Sequence, residues 1–252
     1  MNDRTLVMTM GGQPQIVTFA LDWLLAQGEA VNQVIILHLF SKDPRLKKAI
    51  HQITAEFKGD HYQGHPCRLK LRSITHGGQR PADIQTEADA DATWQTAYQL
   101  LAELKSQNRT LHICVGGGRR MIALLTMSAA MLLCGHHDRI WHIYTPGQVQ
   151  ERAGNGAMLH ARPEDGVRLI QVPMVPWGAY VPALRNLAQP PEKIIARQTA
   201  WLDETERQRC AAVIRHLTDR QNEVLQAFAA GHDPQGVAKL LSISLATVNS
   251  HK

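Results

Sequence analysis

Two glycine turns, each placed where an apolar strand-like run gives way to a helical one, constrain this chain more than any other feature. The first, Thr9-Met10-Gly11-Gly12-Gln13-Pro14-Gln15, follows the run Thr5–Met8. The second, Cys114-Val115-Gly116-Gly117-Gly118-Arg119-Arg120-Met121, follows Thr110–Val115 and opens a long apolar stretch. Strand, glycine turn and helix form the unit from which parallel sheets are wound. Glycine lets backbone approach a ligand closely, and a helix N-terminus presents free N–H groups and partial positive charge. Each turn is therefore a nest of phosphate size, the two adjacent on one edge of the sheet. Arg119 and Arg120 add two cations where the helix macrodipole disfavours them, which makes sense if an anion offsets the penalty. Either turn alone could be an ordinary strand-to-helix connection; together they point to a pocket for an anion with several phosphates.

The remainder of the first 180 residues continues the alternation. A helix starting at Pro14 carries Val17, Leu21, Leu24 and Leu25 on one stripe, and Gln33–Phe40 is a buried-strand run. A helix from Pro44 to about Phe57 has a basic face at Arg45, Lys47 and Lys48, and Arg68–Thr75 alternates as a half-exposed strand does. Then follow a helix over Ala92–Lys105, the strand Thr110–Val115, a helix over Arg119–Cys134, and strands at Arg139–Tyr144 and Val167–Val175. The expected fold is α/β, a Rossmann-like and mainly parallel sheet with helices on both faces, followed by a small all-α domain. Ligands on such folds sit at the carboxyl ends of the strands, where both turns fall. Neither turn reads G-x-G-x-x-G, which argues against a dinucleotide site.

Composition narrows the setting. A formal charge of +5 favours an anionic partner. Four widely spaced cysteines with no C-x-x-C pair fit a reducing compartment and neither a disulfide framework nor a zinc site. Cys134, His136, His137 and His142, and likewise His61, His65 and Cys67, match no structural zinc spacing, and no metal or cofactor is expected. The start Met1-Asn2-Asp3-Arg4 lacks the order of a signal peptide, and the longest apolar run, Met121 to Cys134, falls short of a membrane span. The expectation is a cytoplasmic protein with no membrane partner.

After Trp177 the pattern changes. Gln189-Pro190-Pro191 breaks it, and Glu192 to about His216 reads as a charged connector helix suited to dimer formation. The domains are then 1–180, a connector over 181–216, and 217–252. In the last segment Thr218 caps a helix, with Gln221 completing a capping box and Val224, Leu225 and Phe228 as its core face. Gly231 ends it, Pro234 opens a second helix, and Ser244 caps a third containing Val248, the layout of a helix-turn-helix.

This tail resembles the DNA-binding domain of LuxR-type regulators through Leu217, Thr218, Arg220, Val224, Leu225, Gly231, Val237, Ala238, Leu241, Ile243, Ser244, Thr247, Val248 and His251. Asn222 stands where Glu is commoner. The resemblance implies double-stranded DNA as a partner, with the third helix in the major groove, and places Thr247, Asn249, Ser250 and Lys252 against it. The pattern stops inside that helix, so poor DNA binding is expected of the chain as it stands. From Glu192 onward Lys and Arg barely outnumber Asp and Glu, so binding by one copy should be weak and salt-sensitive.

The first 180 residues resemble the CARF domains (CRISPR-associated Rossmann fold) of type III CRISPR systems, in the branch that includes ring nucleases. The marks are Thr9-x-Gly11-Gly12-x-Pro14-Gln15, the turn Gly117-Gly118-Arg119-Arg120 followed by Met121, the run Asp138-Arg139-Ile140-Trp141-His142, and Val172-Pro173. Arg120 stands where that family usually has Lys. The resemblance implies a homodimer binding one cyclic oligoadenylate, with cyclic tetra-adenylate suiting a two-fold site best. Ligand contacts would come from Thr9, Met10, Gly11, Gly12, Gln13, Gly116, Gly117, Gly118, Arg119, Arg120 and Met121. The implied function is antiviral defence by a cyclic-oligoadenylate sensor that governs transcription through its DNA-binding tail. The alternative is a metal-independent ring nuclease, in which a ribose 2′-OH attacks the adjacent phosphate while Thr9 positions and Arg119 or Arg120 stabilises the phosphorane.

Overall fold

Alternate residues of strand β1 (Arg4–Thr9) enter two different cores, and this decides the layering. Leu6 and Met8 join one core, Val7 the other. The computed structural model describes residues 3–40, 43–75, 81–181 and 206–250. It separates into two compact units, Met1–Ala188 and Gln189–Lys252. In the first unit, helix α1 (Gln15–Ala26) leads to β2 (Val31–His38), and α2 (Pro44–Glu56) to a short hairpin, β3 (His61–Tyr62) and β4 (His65–Pro66). Then come β5 (Arg68–Ser73), α3 (Glu87–Ser106), β6 (Thr110–Cys114), α4 (Arg120–Leu133) and β7 (Arg139–Tyr144). The unit continues through α5 (Gly147–Ala153), β8 (Arg168–Val172) and the single turn α6 (Trp177–Tyr180).

The six-stranded sheet has the order β5-β2-β1-β6-β7-β8. All neighbours are parallel except β7 and β8. Val17, Leu21 and Leu24 of α1 and Leu46 and Ile53 of α2 pack on one face, against Leu6, Met8, Val34 and Ile36. Leu100, Leu101 and Leu104 of α3 and Ile122, Ala129 and Ala130 of α4 cover the other, against Val7, Ile35, Leu37 and Ile113. The expected mainly parallel sheet with helices on both faces is the one observed. The chain winds outward from β1 through β2 to β5, then crosses back to β6 on β1's other side. The β1–β6 gap is thus the switch point of the sheet, where ligand crevices form in such folds.

Several elements differ from expectation. Strand β2 begins two residues before Gln33 and stops short of Phe40, which is 43% exposed. Helix α3 begins at Glu87, five residues before Ala92, because Thr86 and Asp89 form a reciprocal capping box that apolar periodicity does not register. Strand β8 ends at Val172, and the β3–β4 hairpin, α5 and α6 have no periodic signal. The hairpin turns through Gln63 (φ 47°) and Gly64 (φ 81°), the pair of positive φ angles a two-residue turn requires.

In the second unit residues 206–216 are helical; the part of the expected connector before them lies outside the described residues. Three helices follow, Asp219–Ala229, Pro234–Leu240 and Leu245–Ser250, so the expected all-α domain is present. Thr218 and Gln221 form the capping box, and Asp233 accepts from the Gly236 N–H at 2.7 Å with Pro234 at the first helical position. Val224, Ala227, Val237 and Val248 make its small core. Leu225 does not belong to that core: it is 44% exposed, and Ala227, two residues on, takes the inward position. Arg220 ties the first helix to the end of the second by donating to the Leu241 carbonyl at 2.8 Å.

Candidate functional site

The two glycine turns meet at the switch point and are packed backbone against backbone. A Cβ on Gly117 would lie 2.5 Å from the Thr9 carbonyl oxygen, and one on Gly11 3.1 Å from Gly118 Cα. Gly118 also needs its positive φ of 82°. The Thr9 hydroxyl donates to the Gly117 carbonyl at 2.6 Å, joining the turns across 108 residues of sequence. Thr9 and Met10 are 1% and 2% exposed, so both side chains face inward. Absence of side chains at Gly11, Gly117 and Gly118 thus serves the joint between the loops, and the backbone of the second turn forms the outer surface.

Helix α4 opens directly from that joint. Arg119 stands at its N-cap in extended conformation, with no side chain capping the helix and no acidic residue in its first turn. Arg119 donates to Asp83 at 2.9 Å in an exposed pair, worth no more than about 1 kcal/mol. Arg120 and Met121 are exposed. The first turn's Gln13 carboxamide oxygen accepts from Gln15 Nε2 at 2.7 Å and from the Asn155 N–H at 3.0 Å.

Three clefts fan out from Gly116 along this edge. One of about 330 Å³ lies over Gly116–Gly118 and the first turns of α4. Another, of about 350 Å³, runs between the two glycine turns to Asp43 and Ala82. The third, of about 450 Å³, lies at the carboxyl ends of β6 and β7 against α5. Arg45 and Lys48 line a further hollow beside Gly12, and Lys47 and Arg72 one at the ends of β2 and β5. Among the described residues the carboxylates nearby are Asp43, which accepts from the Arg45 N–H to cap α2, and Asp83. Cations therefore outnumber anions along the edge, which favours a polyanion. Candidate residues Gly11, Gly12, Gln13, Gly116, Gly117, Gly118, Arg119 and Arg120 all border these clefts.

Other polar groups serve the frame. Asp138, 3% exposed, accepts from Lys105 Nζ at 2.8 Å, the Leu111 N–H at 2.8 Å and the Gly135 N–H at 2.7 Å, binding the ends of α3 and α4 to the start of β6. His160 bridges Asp22 of α1 at 2.9 Å and Glu56 of α2 at 3.1 Å, while Tyr62 donates to Asp22 at 2.6 Å. Burial opposes charge on His160, but the hydrogen bonds and attraction of Asp22 and Glu56 outweigh it and raise its pKa. Burial pushes the Cys114 and Cys67 thiols up to about 12 and that of Cys134 upward too, so none is a nucleophile at neutral pH. Among the described residues no group of three or more His, Cys, Asp or Glu is placed to hold a metal, and no helix is long and apolar enough to cross a membrane.

In the tail, Asn249 and Ser250 are exposed on the third helix. Thr247 is half-buried, its hydroxyl 2.8 Å from that of Ser244, whose oxygen also accepts the Thr247 N–H and caps the helix. Lys252 lies outside the described residues. The sequence reading missed the cleft wall built by Tyr144, Thr145 and Gln150, and the Asp83 partner of Arg119. The first had a signal: Thr145-Pro146-Gly147 directly after β7 repeats the strand-turn-helix grammar of the two glycine turns.

Residues 13–207 match the family model described as CRISPR-associated protein NE0113, and residues 215–252 that of bacterial regulatory proteins, luxR family. No curated protein sequence matches the chain. Among solved structures it is similar to protein VC1899 from Vibrio cholerae (TM-score 0.40, 14% identity), over 55% of this chain and 30% of that one. It is also similar to Enterococcus italicus Csm6 bound to cyclic hexa-2'-fluoro-hexa-dAMP (TM-score 0.41, 10% identity), over 72% of this chain and 45% of that one. The chain thus spans less than half the length of either.

Proposed function

Because the chain belongs to the CRISPR-associated protein NE0113 family and ends in a LuxR-family helix-turn-helix domain, we propose that it is a cyclic-oligoadenylate sensor that regulates transcription. The observation that carries this reading is the joint of the two glycine turns at the sheet's switch point, where Arg119 and Arg120 open α4 over exposed backbone. Several phosphates fit along one such edge, each met by an N–H group or a guanidinium. A homodimer presents two such edges about a two-fold axis, which cyclic tetra-adenylate matches in symmetry. Met121 and Gln13 border the ring, and Thr9 acts through the loops it holds together. In the tail, Asn249 and Ser250 face the bases, with Thr247 and Lys252 beside them. Ligand and DNA are then coupled by on the order of 1–3 kcal/mol.

Cleavage of the bound ring is a second reading, supported by the exposed Arg120 at the head of α4. It needs only in-line attack of a 2′-OH on its neighbouring phosphate. The 2′-O–P bond forms as the P–O5′ bond breaks, the 2′-OH proton is lost and the leaving 5′-oxygen takes one up. The ring opens to a chain ending in a 2′,3′-cyclic phosphate and a 5′-OH. Calorimetric titration with cyclic tetra- and hexa-adenylate tests the sensor, and chromatography of the same rings after incubation in EDTA tests cleavage. Failure to bind either ring would end the sensor reading. A ring bound and recovered intact would end the nuclease one.

A further inference from the structure

The cleft at the carboxyl ends of β6 and β7 is lined by a residue that carries a buried acceptor with no partner among the described residues. Gln15, the first residue of α1, lines this cleft and is 6% exposed, and its Oε1 makes no hydrogen bond to the described residues. Its orientation is set by its neighbours. The Asn155 backbone N–H can only donate, so the Gln13 atom it meets at 3.0 Å is the carbonyl oxygen. That oxygen also lies 2.7 Å from the Gln15 amide, which must therefore present its NH₂ there. Turning Gln15 over would set two oxygens against each other, so Oε1 stays on the unpaired side. A buried carbonyl without a donor is destabilising, and the cost is removed when a ligand supplies one.

The surroundings favour a flat heterocycle. Ile16, Phe19 and Ile143 supply apolar lining, Thr145 and Gln150 add polar lining, and the volume of about 450 Å³ falls within the range of small-molecule pockets. The cleft shares Gly116 with the one over the head of α4, so a ligand phosphate there and a base here are joined through a single residue.

We propose that this cleft is a purine subsite in which Gln15 Oε1 accepts a hydrogen bond from the exocyclic 6-amino group of adenine. The proposal rests on the cyclic-oligoadenylate reading and adds to it the residue that reads the base. Hypoxanthine carries an oxygen at the same position and would set acceptor against acceptor.

The test uses the full chain, titrated by calorimetry with cyclic tetra-adenylate, cyclic hexa-adenylate and cyclic tetra-inosinate, and repeated with Gln15→Leu. The wild-type chain is expected to bind the adenylate at least about tenfold more tightly than the inosinate, the scale of one unpaired buried polar group. In Gln15→Leu the adenylate should weaken by a similar factor and the preference should disappear. Equal affinity of the wild-type chain for adenylate and inosinate overturns the subsite while leaving the sensor reading intact, and it does so even if the variant fails to fold. A folded Gln15→Leu that keeps the preference overturns it too. No binding of either adenylate ring by the wild-type chain overturns the reading beneath it, and the subsite falls with it.

Discussion

Replacing Gly117 with alanine places a methyl group 2.5 Å from the Thr9 carbonyl oxygen and 3.5 Å from Met10 Cα. Both obstacles are backbone, so no rotamer change relieves them, and the turns must separate by roughly an ångström. Overpacking of this kind costs about 1–3 kcal/mol. Separation also stretches the 2.6 Å hydrogen bond from the Thr9 hydroxyl to the Gly117 carbonyl, worth about 0.5–1.5 kcal/mol. A loss of about 2–4 kcal/mol follows. With a urea dependence near 2–3 kcal/mol/M, the unfolding midpoint of the first unit should fall by about 1 M. Gly147→Ala is the control, because a Cβ there meets nothing within 4 Å; it should be neutral or slightly stabilising. The assay is urea denaturation followed by tryptophan fluorescence, all three chains in parallel. Equal midpoints for Gly117→Ala and wild type would refute the backbone-to-backbone joint, and with it the geometry on which the anion edge depends.

Three further outcomes are expected. Replacing Arg119 and Arg120 together with alanine should weaken cyclic tetra-adenylate binding by several kcal/mol, about 1.5–3 kcal/mol per charge-assisted contact, whereas Asp83→Ala should strengthen it by releasing Arg119; calorimetry reads both signs. Asp138→Ala should cost about 2–4 kcal/mol in denaturant, because it leaves two backbone N–H groups without an acceptor around a site 3% exposed and Lys105 with only the Arg109 carbonyl. For His160, whose pKa the fold raises above 6.5, the bridge to Asp22 and Glu56 contributes fully below about pH 6.5 and is lost as pH rises through the folded value. The stability gap between wild type and His160→Gln should therefore narrow with rising pH, and a gap that widens would contradict the bridge.

The strand-turn-helix grammar around β1, β6 and β7, the stripe on α1 and the caps of the tail were all legible in the sequence, because each depends on residues within one or two turns of chain. Period, cap and breaker act locally, so they can be read locally. The cationic, glycine-rich character of the edge was legible for the same reason: Gly117, Gly118, Arg119 and Arg120 are contiguous. The capping box of α3 was equally local, but it sits in an Asp- and Ala-rich stretch whose apolar pattern starts only later.

What tertiary structure decided is which surfaces those local pieces share. Only the sheet order makes β1 and β6 neighbours, and only then does Thr9 meet Gly117 across 108 residues. The same closeness makes three of the glycines the joint between two loops as well as part of the cleft lining. The direction of β8 and the inward turn of Ala227 in place of Leu225 likewise follow from packing, since propensity is silent about what lies opposite. The unpaired oxygen of Gln15 is the sharpest case. Gln13, Gln15 and Asn155 look interchangeable as polar residues in a sequence, and only their contact, over 142 residues between Gln13 and Asn155, forces one amide to turn its donor to Gln13 and leave its acceptor unpaired among the described residues.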